Sequence, residues 1–122
     1  MKKMNQIIQQ LTKSKQILLA THIHPDGDAI GSLLSLGLAL EEVKKKVQLY
    51  NESVLPAVYN FLPSIHRIKN EAGDMQAYDT AVILDCSDLQ RVGDAAEAIS
   101  RIPTIINIDH HLTNIRFGNY QL

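Results

Sequence analysis

His22, His24, Asp26 and Asp28 stand at every second position of the stretch Thr21-His22-Ile23-His24-Pro25-Asp26-Gly27-Asp28-Ala29. Imidazoles and carboxylates are the side chains that ligate divalent cations and move protons near neutral pH. Plainer readings compete for parts of the stretch. Pro25-Asp26-Gly27 is a turn signal, since Pro presets φ, Asp bonds its own backbone and Gly accepts positive φ. Asp28 ahead of Ala29-Ile30 is a candidate helix N-cap. Neither accounts for the histidines, and two more acid-bearing stretches lie downstream, Asp85-Cys86-Ser87-Asp88 and Asp109-His110-His111.

Each of the three follows an apolar run. Residues 17–20, 80–84 and 104–108 are short and apolar along their length, as strands buried on both faces are. Met4, Ile7, Ile8 and Leu11 recur at helical spacing and predict a helix over 4–13. Ile30, Leu33, Leu34, Leu38, Leu40 and Val43 predict another over 29–45, with Lys44-Lys45-Lys46 as its solvated, dipole-favoured end. A strand at 47–50, a helical turn within 56–62, a brief strand at 66–68 and a helix over 92–100 complete the reading. The expected fold class is α/β: a three-layer, Rossmann-like domain with a mainly parallel sheet covered on both faces. In such sheets ligands bind beyond the carboxyl ends of the strands. All three acid-bearing stretches are therefore expected at one sheet edge, as an active site.

Composition narrows the partners. A chain of 122 residues, 45% hydrophobic and 20% charged, is one globular domain's worth. A net charge of -1 gives no footprint for long nucleic acid or an anionic membrane, so a nucleotide partner should be small or held locally. The single Cys86 excludes an internal disulfide and fits a reducing compartment. Met1-Lys2-Lys3 imitates the start of a signal peptide, but Asn5, Gln6, Gln9 and Gln10 interrupt the apolar segment one needs. No apolar run is long enough to span a bilayer. A cytoplasmic location is expected.

If Asp26, Asp28, Asp85 and Asp109 converge, their repulsion must raise their pKa values or be neutralised by cations. A mixed set of imidazoles and carboxylates favours manganese, with magnesium, cobalt and zinc as alternatives. Two ions about 3.5–4 Å apart would activate a water and clamp a phosphoryl group.

His22-Ile23-His24-Pro25-Asp26-Gly27-Asp28-Ala29, the Asp85 strand end and Asp109-His110-His111 resemble, in order and separation, the first three motifs of the DHH phosphoesterase family. Leu84-Asp85-Cys86-Ser87-Asp88 with Arg91-Val92-Gly93, and Thr113-Asn114 with Phe117-Gly118, are most similar to its nanoRNase branch. That branch comprises bacterial oligoribonucleases that also dephosphorylate 3′-phosphoadenosine 5′-phosphate. The resemblance implies two manganese ions. His22 and Asp26 would hold one, Asp28 and His110 the other, and Asp85 would bridge both. It also implies that His111 contacts the substrate phosphate or assists protonation, and that Asp109 orients His110 from behind. The implied substrates are small nucleotides and very short RNA, with no long nucleic acid and no membrane; a homodimer is compatible. The family's fourth motif and its C-terminal substrate domain have no counterpart before Leu122. Residues 1–122 are therefore expected to be the N-terminal part of the catalytic domain, without the C-terminal substrate-binding domain and nearly inactive alone.

Other readings stay open at this stage. A family II pyrophosphatase shares these metal motifs, and a metal- or nucleotide-binding domain without turnover would keep them too. His22-Ile23-His24-Pro25-Asp26 also fits the H-x-H-x-D opening of metallo-β-lactamase-type hydrolases, although Gly27 stands where that family has His. His24 is expected to be a loop residue, His66 structural or exposed, and Cys86 a small core hydrophobe. Asp88 is either a cap or part of the site. Arg91 is either solvated or a bidentate phosphate ligand.

Overall fold

The computed structural model describes residues 2–122. Three helices, α1 (Lys2–Lys13), α2 (Gly27–Glu42) and α3 (Ala96–Ser100), accompany six strands. The strands are β1 (Gln16–Thr21), β2 (Lys46–Tyr50), β3 (Ile68–Lys69), β4 (Thr80–Leu84), β5 (Thr104–Ile108) and β6 (Tyr120–Gln121). They form one sheet in the order β3-β2-β1-β4-β5-β6, and every pair is parallel. The chain runs outward from β1 to β3, returns to β4 and runs out the other way. The switch point thus lies between β1 and β4, where an open α/β sheet leaves a crevice.

Alternate residues of the central strands enter two cores. Ile17 and Leu19 pack with Ile7 of α1 and Ile30 and Leu33 of α2. Leu18 and Ala20 pack on the opposite face with Val92 and Ile99. Covering both faces is why these strands are apolar throughout.

Several boundaries differ from expectation. Helix α2 starts at Gly27, and its N-cap is Asp26, which accepts from the Ala29 N–H at 2.9 Å. Asp28 lies inside the first turn. The helix ends at Glu42, and Lys44 takes a left-handed φ of 68°. Lys45 is therefore no solvated helix end: its ammonium donates to the carbonyls of Thr12 and Ser14, tying down the end of α1. The helix expected over 92–100 is divided at Gly93 into a 3-10 turn, Leu89–Val92, and α3. The strand expected at 66–68 is a 3-10 turn, Ile65–Arg67, followed by β3, with His66 exposed. Strand β6 was not foreseen. Asn119 anchors it, exchanging bonds of 2.7 Å with the backbone of Ile105.

Candidate metal centre

Strands β1 and β4, which flank the switch point, and the neighbouring β5 are followed directly by His22, Asp85 and Asp109 respectively. Asp85 occupies the centre. Its side chain is only 7% exposed, and its backbone takes a φ of 57°, a left-handed conformation that costs a non-glycine residue about 1–2 kcal/mol. Its N–H is held by the Ile108 carbonyl at 2.9 Å, so the turn is locked onto β5.

The two Asp85 oxygens face different imidazoles. Oδ1 lies 2.8 Å from His110 Nε2, and Oδ2 lies 3.5 Å from His22 Nε2. His22 Nε2 is also 4.0 Å from Asp26 Oδ1, and His110 Nε2 is 3.3 Å from Asp28 Oδ2. His22 Nδ1 sits 2.8 Å from the Ile23 carbonyl, which can only accept. Nδ1 therefore carries a hydrogen, which leaves Nε2, on the side of the acids, as the nitrogen placed to ligate a cation. One ligand atom each from His22, Asp26 and Asp85 lie within 4.8 Å of one another, and so do those of Asp85, Asp109, His110 and His111. Asp28 joins through its contact with His110. These donors fit a hard or borderline divalent cation. The hydrogen bond that His110 donates to Asp85, reinforced by the carboxylate's charge, raises the His110 pKa above its ordinary value.

Asp109 departs from the expected role. Its side chain is fully covered, and Oδ1 lies 2.5 Å from His111 Nδ1, while Oδ2 accepts from Asn114 at 2.8 Å. The carboxylate thus orients His111 rather than His110, because Asn114 fixes it behind one ring while Asp85 draws the other ring outward. Burial pushes the Asp109 pKa up, but the hydrogen bonds from Asn114 and His111 outweigh it and hold the group below the ordinary carboxylate value.

Asn114 itself is anchored. Its amide donates at 2.7 Å to Asn107 Oδ1, and the buried Asn107 donates at 3.1 Å to the carbonyls of Ile83 and Cys86. On the other side, Asn51 donates at 2.7 Å to the His22 carbonyl. Sequence reasoning missed the supporting roles of Asn51, Asn107 and Asn114. Asn107 was visible in principle, as the one amide inside the apolar run of β5.

His22, Asp26, Asp28, Asp85, His110 and His111 line a cleft of about 270 Å3 whose remaining wall holds Ser87, Arg91 and Thr113. The Arg91 carbonyl accepts from the Ile23 N–H at 2.8 Å, which fixes this arm beside His22. Asp88 is a cap, accepting from Gln90 N at 3.0 Å. His24 is exposed with a φ of 52° and lies outside the cleft lining. Cys86 is buried, and desolvation, aided by Asp85 and Asp109, pushes its thiol up to about 12, so it is no nucleophile. Larger hollows of about 440 and 470 Å3, around Tyr78 and around Leu11, gather no acids or histidines.

Among known proteins, the N-terminal domain of the DHH family matches residues 16–121. The bifunctional oligoribonuclease and PAP phosphatase NrnA of Thermus thermophilus is 39% identical over 104 residues, covering 84% of this chain and 30% of that protein. A crystal structure of an exopolyphosphatase-related protein from Bacteroides fragilis matches with a TM-score of 0.87 and 25% identity, over 98% of this chain and 38% of the other. The chain spans well under half the length of either relative. The extent of the family match, over a sheet that brings all three acid-and-histidine stretches to one edge, shows that this chain belongs to the DHH family.

Proposed function

We propose that the chain is the N-terminal part of the catalytic domain of a manganese-dependent phosphoesterase acting on short oligoribonucleotides, nucleoside 3′,5′-bisphosphates or both. The observation that carries this reading is the division of Asp85, with one oxygen toward His22 and the other toward His110. A carboxylate so placed suits two cations at once. His22 and Asp26 would hold one, Asp28 and His110 the other, and Asp85 would serve both. Bound there, the pair supplies an activated water and charge stabilisation for in-line displacement at phosphorus. His111, fixed through Nδ1 by Asp109, turns Nε2 to the substrate phosphate or leaving oxygen. Arg91 meets a non-bridging phosphate oxygen from the facing wall. A cleft of about 270 Å3 admits a small phosphate-bearing group and suits a small nucleotide or the end of a very short RNA.

The relative's name supports the substrate class: it is called an oligoribonuclease and PAP phosphatase, and it shares 39% identity with this chain. The test is phosphate release from 3′-phosphoadenosine 5′-phosphate and mononucleotide release from a dinucleotide, with manganese and with chelator, using a protein of the relative's full length. Manganese-dependent release from either substrate is expected. Release that persists in chelator would overturn the reading.

A further inference from the structure

Beyond the ends of β1, β4 and β5, three residues after β2 reach into the same edge. Asn51 donates to the His22 carbonyl at 2.7 Å, and Ser53 Oγ accepts from the His24 N–H at 2.8 Å. Between them, Glu52 Oε1 accepts from the Asp94 N–H at 2.8 Å. None of the three lines the cleft. Residues 51–53 therefore bond two loops at once: the one carrying His22 and the turn that follows Arg91.

The contact is tight where these segments meet. Gly93 has a φ of 103°, and a Cβ there would stand 2.5 Å from Glu52 Oε2 and 2.8 Å from Ile23 Cγ2. Only glycine fits both the backbone and the space. Two residues earlier, the Arg91 carbonyl takes the Ile23 N–H. The 91–94 turn is thus clasped by Ile23 on one side and by Glu52 on the other.

We propose that Glu52 is a positioning residue: by holding the 93–94 turn it fixes the Arg91 side chain at a set distance from His22, and so sets phosphate affinity without touching phosphate. The proposal rests on the reading of Arg91 as a phosphate contact. Arg91 presents its charge as a rigid planar fork whose bonds to phosphate are directional, so a shift at its backbone tilts the guanidinium off target. The bond Glu52 makes is to a neutral backbone N–H. A carbonyl oxygen at the same reach can replace it, whereas a shorter carboxylate cannot.

The experiment titrates adenosine 5′-monophosphate into the manganese-loaded chain by calorimetry, after a separate manganese titration of each variant. Arg91→Ala is expected to weaken nucleotide binding about tenfold, as loss of a charge-assisted contact does. Glu52→Ala and Glu52→Asp should each weaken it about three- to tenfold, with manganese affinity within about twofold of the parent. Glu52→Gln should restore it, because reach rather than charge is what the clasp needs. Unchanged nucleotide binding in Glu52→Ala beside a weakened Arg91→Ala would overturn the role of Glu52 alone. A parallel loss of manganese and nucleotide affinity, or a Gln variant no better than Ala, would also overturn it, since either shows general loosening or a charge effect. Unchanged binding in Arg91→Ala would instead remove the phosphate reading of Arg91, and the proposal with it.

Discussion

The site turns on one side chain. Asp85 is buried, left-handed in φ and shared between two imidazoles, so on the proposed reading its removal would take a ligand from both cation sets together. In a protein of the relative's full length, Asp85→Ala is expected to abolish two-ion binding in a manganese titration. Retention of two-site stoichiometry would show that Asp85 does not bridge. His22 and His24 differ as sharply, although they flank a single residue. His22 Nε2 points at Asp85, whereas His24 is exposed and its backbone, not its ring, is held by Ser53. His22→Ala should cost at least tenfold in manganese affinity, the scale of losing one ligating contact, and His24→Ala less than about twofold. Equal losses would favour a hydrolase that uses both histidines. Behind the cleft, Asn114→Ala leaves Asp109 Oδ2 without its amide donor, while Asn107 Oδ1 keeps the bond from Gln121. Because unsatisfied buried acceptors cost about 1–3 kcal/mol, urea unfolding should show a loss in that range. A loss under about 0.5 kcal/mol would mean that water replaces the amide without penalty.

Strands carry most of what could be read without coordinates. The runs at 17–20, 80–84 and 104–108 announced β1, β4 and β5 because both faces of a parallel strand are apolar, and their ends carried the chemistry. What escaped reading has different physics. Strand β6 is two residues long and depends on Asn119 rather than on any apolar pattern. Asn51, Asn107 and Asn114 act across long sequence separations, and an amide's distant partner leaves no trace in local spacing. The exchange of partners at Asp109 was equally hidden, since adjacent histidines look alike until their rings are placed. Even the helix ends moved for a local reason, because Asp26 caps α2 and Gly93 interrupts the helix expected over 92–100. Helix α2 also meets the sheet at one point that spacing did not reveal. A Cβ on Gly37 would stand 2.8 and 2.9 Å from the two Leu49 methyls, on a buried β2 residue. Gly37→Ala gains up to about 1 kcal/mol of helix propensity but overpacks the contact at about 1–3 kcal/mol. A net destabilisation of about 1 kcal/mol is expected from denaturant unfolding, with overpacking winning. A stabilised variant would show that Leu49 can turn aside.

At the scale of the molecule, protons and cations compete for one edge of the sheet. The His110 pKa is raised by Asp85. Its contribution to the stability of the metal-free chain is therefore complete below the ordinary histidine value of 6.5 and is lost as the pH rises through the higher folded-state value. A cation needs the same nitrogen unprotonated, so metal binding runs the opposite way. Manganese should therefore raise the melting temperature little at about pH 5.5 and clearly at about pH 7.5, where a hundredfold excess over Kd contributes about 2.7 kcal/mol. An equal increment at both values would show that His110 is not a ligand. The two cation sets are also unequally enclosed. The set around His110 and Asp28 is the more open, with those side chains 69% and 60% exposed, against 17% for His22 and 67% for Asp26. Open ligands hold a cation weakly, and open water access weakens the electrostatic clamp on a phosphoryl group. Residues 1–122 alone should therefore bind manganese tightly at one site at most and release phosphate from 3′-phosphoadenosine 5′-phosphate at least about a hundredfold more slowly than a protein of the relative's full length, the scale on which lost positioning slows a reaction. The two are to be assayed side by side at matched manganese concentration. Comparable rates would mean that the cleft between β1, β4 and β5 is sufficient for hydrolysis, and that whatever else such a protein carries serves to choose the substrate.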